Sequence, residues 1–279
     1  MIKLLRSNLS RTIKSKTLWI CMALYALYAI LLPIIMKNVN SEAFDISGAK
    51  PLLATGYGIA GFPLQGMLIA TLSCLILGTD FHNGAFRNKL IVGRSRTQIY
   101  AANLLTSFVI SLALSTIYLI FFLTISLPLL GSFATTARTV LLLLLDGTLM
   151  LLSYSAIYTF IVMTSKNTTV SIIISFVLLF ASMMLIMYLE EILNEEPYYI
   201  QFVRNEFGET VEQLVPNPNM PSKSLKNFCQ FILDFFPSGQ SYLLSNNNEF
   251  RWQMALYSII LIGGTSGAGM LIFNKTNIK

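Results

Sequence analysis

Residues 104–127 read LLTSFVISLALSTIYLIFFLTISL, without a single charge. A helix needs about 20 such residues to cross a hydrocarbon core of about 30 Å. The run lies inside a longer uncharged stretch, Thr97–Ala137, too long for the buried helix of an ordinary soluble domain. Outward from it, five more runs satisfy the same criterion. Leu18–Met36 carries no charge. Tyr57–Leu77 lies within the charge-free stretch Pro51–Thr79, after a Gly-rich entry. Thr139–Met163 holds one acid, Asp146. Asn167–Leu189 is rich in Ile, Ser and Met, and Trp252–Phe273 is bounded by Arg251 and Lys275. The expected fold is therefore an all-α integral membrane protein, one transmembrane domain over 1–279. Its spans are expected at 18–36, 57–77, 104–127, 139–163, 167–189 and 252–273.

Composition agrees. Of 279 residues, 54% are hydrophobic and 11% charged, against about 25% charged in soluble domains, and mean hydropathy is +0.66. These values exclude a disordered chain, a secreted disulfide scaffold and an ordinary cytosolic enzyme. Cys21, Cys74 and Cys229 are scattered without a CxxC, and His82 is the sole histidine, which excludes most His-based metal sites. The first run exceeds the 7–15-residue apolar core of a signal peptide, and no small-x-small cleavage site follows it, so it is expected to remain as a span.

The net charge of +6 comes from 19 Lys and Arg against 13 Asp and Glu. Six spans put both termini on one side, and basic residues mark the cytoplasmic side. With the N-terminus inside, the inner segments hold Lys3, Arg6, Arg11, Lys14, Lys16, Arg87, Lys89, Arg94, Arg96, Lys166, Lys275 and Lys279, with Asp80 as their one acid. All other acids except Asp146 fall outside. The surplus charge thus reads as a topology signal, with both termini cytoplasmic and no nucleic-acid partner.

Three segments lie between or beside the spans. Residues 2–16, IKLLRSNLSRTIKSK, place Ile2, Leu5, Leu9 and Ile13 at helical spacing with Lys and Arg on the other faces. This is an interfacial helix, apolar side toward the acyl chains. Residues 80–100 form an inner loop, helical in its first half until Gly93 breaks the run. Residues 190–251 form an outer segment. Ile200, Phe202, Val203, Phe207, Val211 and Leu214 approximate one helical stripe, and Leu225, Phe228, Phe231, Ile232, Phe235 and Phe236 a second. Two or three short helices are expected there.

Several motifs match only on paper. Gly56-x-Gly58-x-x-Gly61 spells a dinucleotide fingerprint but follows no strand. Gly263, Gly264, Ser266, Gly267 and Ala268 give small-xxx-small spacing, a helix-packing signal. Glu190-Glu191 sits at a span's outer boundary with no His partner, so a membrane enzyme lacks its constellation. No GxxxxGK[ST] occurs in the chain, so it has no P-loop of its own. Asp146 lies roughly 12 Å from the outer end at 1.5 Å per residue. There it either bonds a neighbouring helix or lines a translocation path as a proton site.

The run from Gly78 to Tyr100, GTDFHNGAFRNKLIVGRSRTQIY, resembles the loop after the second span of ATP-binding-cassette (ABC) type 2 permeases. The matching positions are Asp80, Gly84, Arg87, Leu90, Gly93, Ser95, Arg96 and Ile99-Tyr100. The run departs at Ala85, where the family often has Thr, and in having Asp80 for the commoner Glu. Six spans, a basic N-terminal helix and a large outer segment before the last span extend the resemblance over the whole chain. It implies the permease half of an exporter in a bacterial cytoplasmic membrane, working as a homo- or heterodimer. It further implies that the inner loop docks on a separate ATPase subunit. Asp80, Gly84, Phe86, Arg87, Asn88, Gly93 and Arg96 are the implied docking or hinge residues. ATP and Mg would sit on the partner, leaving this chain without a cofactor and not itself an enzyme. By family tendency the substrate is an amphipathic peptide, antibiotic or lipid-like molecule. The competing expectation is an ion-coupled secondary transporter that uses Asp146.

Overall fold

The structure, a computed structural model, describes residues 1–38, 64–130, 136–204, 210–246 and 251–275. Its helices are α1 (Ile2–Ile13), α2 (Lys16–Asn38), α3 (Leu64–His82), α4 (Ala85–Ile91), α5 (Arg96–Leu130), α6 (Ala137–Ser165), α7 (Thr168–Leu193), α8 (Lys223–Phe235), α9 (Pro237–Asn246) and α10 (Trp252–Lys275). Between α7 and α8 stand two strands, β1 (Tyr198–Arg204) and β2 (Thr210–Pro216). Six of the helices, α2, α3, α5, α6, α7 and α10, are long and apolar enough to cross a membrane. The chain is a multi-pass membrane protein. The beginning of the expected second span, 57–63, and the Gly56/Gly58/Gly61 triplet lie outside the described residues.

The bundle is organised around α6, which packs on α3, α5, α7, α9 and α10, while α2 lies mainly against α5. Polar caps fix where the helices begin. Thr136 Oγ1 accepts the backbone N–H of Thr139 before α6, and Asn167 Oδ1 accepts those of Thr169 and Val170 before α7. Each satisfies donors that the first turn leaves without an intrahelical partner. Between α5 and α6 runs a polar ladder. Asn103 Nδ2 donates to Met163 Sδ at 3.4 Å, Thr159 Oγ1 to Ser107 Oγ at 3.0 Å, and Ser111 and Ser155 share a short hydroxyl contact. Steps of four along both antiparallel helices keep these partners on one facing seam. Interhelical hydrogen bonds in membrane proteins contribute about 0.6 kcal/mol each.

All six membrane-crossing helices outrun the expected spans at one end or both, and two of the overruns change the inner loop. α3 continues to His82 and α5 starts at Arg96, so the expected loop of 80–100 is reduced to 83–95 and is itself half helix. Charges at both edges mark span ends in sequence, yet Asp80 and Arg96 find partners and stay within their helices.

The outer segment also departs from expectation. Ile200, Phe202, Val203, Val211 and Leu214 do not form a helix. They lie in an antiparallel hairpin with Tyr199 opposite Val215, Ile200 opposite Leu214 and Phe202 opposite Glu212; Phe207 lies outside the described residues. The strand period decides: Tyr198, Ile200 and Phe202 alternate, and aromatic and β-branched residues suit a pleated surface better than a helix. The second stripe is a helix, α8, capped by Ser222. A further helix, α9, begins at Pro237, as the first helical turn tolerates Pro.

Candidate functional site

At the end of the bundle carrying α1 and α4, three elements meet on one carboxylate and a fourth joins them through an amide. Asp80, in the last turn of α3, is fully buried. Arg11 of α1 forms a close ion pair with its Oδ1, and Lys89 Nζ of α4 lies 2.9 Å from its Oδ2. Lys89 also donates to Asn8 Oδ1 at 3.0 Å, and Asn8 Nδ2 donates to Asn103 Oδ1 of α5 at 2.8 Å. One connected set of charges and amides therefore ties the N-terminal helix, two spans and the loop helix together. Burial, aided by the charge of Arg11, pushes the Lys89 amine down to about 8. Two cations share a single anion here, so one of them binds its proton weakly.

α4 is seated by an aromatic side chain. Phe86 is buried, its ring stacked on Phe81 with centroids 3.9 Å apart and edge-on to Phe273 at 6.0 Å. Lys89 Nζ lies 5.3 Å from the centre of the Phe86 ring, within the range of a cation–π attraction. Leu4, Ile99, Tyr100, Ala102 and Met163 belong to the same cluster. Glycines bound the helix in conformations that side chains rarely adopt: Gly84 has φ 66° and Gly93 φ 80°. The chain can therefore turn sharply out of α3 into α4, and again out of α4 toward α5.

The face of α4 opposite Phe86 is open. Arg87 and Asn88 are exposed, and Ile91 and Val92 are 73% and 74% exposed. The seven implied residues thus divide. Arg87 and Asn88 are on the surface; Gly84 and Gly93 shape the backbone. Asp80 and Phe86 are interior and hold the helix in place. Arg96 points elsewhere: its Nη1 donates to the backbone oxygens of Phe273 and Asn274, carbonyls that the end of α10 leaves without helical donors. A cation there also opposes the negative end of the helix dipole. The sequence reading passed over Ile91 and Val92, whose only signal was an apolar pair beside a Gly where the loop should be polar. It passed over Asn8 and Thr12 as well, because a polar pair on an amphipathic helix reads as a solvated face.

At the other end, Asp146 on α6 is 2% exposed, and neither carboxylate oxygen has a hydrogen-bond partner among the described residues. The Arg251 side chain is engaged with Asp234 of α8 at 2.7 Å. Beside this pair, Gln240 of α9 donates to the backbone oxygens of Asp234 and Met254 and accepts from Ser258 Oγ. Tyr154 donates to Ser238, so α8 and α9 are fastened to α6 and α10 at this end. Glu190 accepts from Asn194 at the end of α7, and Glu191 is exposed.

No protein-family model matches the chain, and no curated protein resembles it in sequence.

Proposed function

We propose that the chain is the permease subunit of an ATP-driven ABC exporter in a bacterial cytoplasmic membrane, with both termini in the cytoplasm. A second permease protomer, alike or different, would complete the pathway for an amphipathic peptide, antibiotic or lipid-like substrate. ATP and Mg belong to a separate ATPase subunit. The observation that carries the reading is α4: a short helix, rigidly seated by Phe86 and Lys89 on the ends of the spans. It offers a mixed apolar and polar face (Arg87, Asn88, Ile91, Val92) to a partner. A polar–apolar patch on a rigid support suits protein docking. Its attachment to α3 and α5 would turn movement of a docked ATPase into tilting of the spans.

Purified from its own membrane, the chain should bring down a second polypeptide that carries a P-loop and hydrolyses ATP. The double variant Arg87→Glu, Ile91→Asp should lose that subunit and keep the wild-type melting temperature, since both side chains are exposed. Retention of the ATPase by the variant overturns the docking assignment.

A second reading has an observation of its own. Asp146 is a buried acid whose two oxygens have no hydrogen-bond partner among the described residues, the setting of a proton or cation site in an ion-coupled transporter. That reading requires transport to persist without ATP, to follow an ion gradient and to stop in Asp146→Asn.

A further inference from the structure

Helix α1 presents three faces, and the junction at Asp80 uses only one. Leu4, Asn8 and Thr12 are buried against the protein. Away from them runs a shallow groove lined by Ile2, Leu5, Leu9 and Ile13, with Arg6 and Lys14 along its borders. Ile2 is 80% and Ile13 56% exposed. Asn8 and Thr12 thus face the protein while the Ile and Leu stripe faces outward. The remaining face is basic. Lys3 and Arg6 on α1, Lys14 at its C-terminal end and Lys16 at the start of α2 are exposed and make no ion pair among the described residues. Among the described residues, Arg11 is the one cation of α1 paired with an acid. No Asp or Glu occurs in the sequence before Glu42, so the flanking chain supplies no neutralising charge. Trp19, 57% exposed, donates its indole N–H to the Ile13 carbonyl at 2.6 Å, setting an interface-seeking ring beside the end of the apolar stripe.

A stripe of exposed Ile and half-buried Leu calls for an acyl boundary, and cations beside it call for anions at headgroup depth. We infer that α1 is a binding element for anionic phospholipid. Ile2, Leu5, Leu9 and Ile13 enter the acyl boundary while Lys3, Arg6, Lys14 and Lys16 hold headgroup phosphates. A zwitterionic lipid satisfies the stripe and leaves the cations poorly matched, so the site selects by headgroup charge. The inference needs α1 at a membrane surface and nothing of the exporter reading.

The test uses the full chain in lipid nanodiscs, where both leaflets share one composition and orientation is irrelevant. Trp252→Phe leaves Trp19 as the only tryptophan, since the chain has 2. Brominated acyl chains quench an indole that they touch. At equal fraction in phosphatidylcholine, brominated phosphatidylglycerol should quench Trp19 several-fold more effectively than brominated phosphatidylcholine. Each cation contributes at most about fivefold. The preference should shrink at high salt and vanish when Lys3, Arg6, Lys14 and Lys16 are replaced by Gln. Should that variant fail to fold, Arg6→Gln with Lys14→Gln should still reduce the preference. Equal quenching by the two lipids, or a preference that survives these replacements, overturns the inference.

Discussion

Asp80 is fully buried and faces two cations, so the consequences of changing the three partners differ. Asp80→Asn leaves Arg11 and Lys89 together without an anion. Removing one partner from a fully buried pair costs about 3–5 kcal/mol; the Arg11 side chain is 43% exposed, so thermal unfolding in detergent should show a loss below that range. Lys89→Gln keeps the Arg11 pair and removes the excess charge, so it should cost far less. If the two variants melt together, Asp80 is not the hub. The pH dependence has a definite sign. Lys89 in the folded protein sits at about 8, below the usual 10.5 of lysine. Between those values the unfolded chain keeps a proton that the folded chain has shed, so this group's contribution raises stability as pH climbs through the window. Lys89→Met should flatten that rise relative to wild type in melts recorded across the window.

At the scale of elements, α4 is defined by its ends. Gly93 has φ 80° with open space around the position of a side chain, so a substitution there meets only backbone strain. Gly93→Ala should lose about 1–2 kcal/mol, and Gly93→Asn less, because Asn visits that conformation more readily. Denaturant titration of the two variants measures the difference. The same scale shows which elements could be read from sequence. The long helices could, because bilayer thickness demands an apolar run with no soluble equivalent. The hairpin could not: Ile200, Phe202 and Val203 followed by Val211 and Leu214 fit a loose helical stripe as well as a strand, and short apolar runs carry both periods. What separates them is pairing, Ile200 with Leu214 and Phe202 with Glu212, which is a property of two segments at once. In the candidate site, Arg87, Asn88 and the two glycines were legible from the loop pattern. The interior roles of Asp80 and Phe86 were not, since burial depends on α1 and α10, distant in sequence.

For the whole molecule, the exporter reading puts the α4 end in the cytoplasm and the hairpin outside, the orientation expected from the bias of basic residues. A membrane-impermeant thiol reagent applied to intact cells should label Gln213→Cys, and should label Asn83→Cys only after the membrane is opened. The reverse pattern would invert the topology. The native Cys74 and Cys229 are buried and Cys21 is half-buried, which leaves a low background. One contact made by Arg96 has a mechanical meaning at this scale. It begins α5, directly after the stretch that leaves α4, and it grips the final carbonyls of α10. The third and sixth membrane-crossing helices are thereby stapled at one point, and α6 is wedged between them along its ladder and its packing. A load applied to α4 would be shared at once by the first turn of one helix and the last turn of another. The bundle would answer as a block hinged at its rim, with no need for a signal to pass through the fold residue by residue.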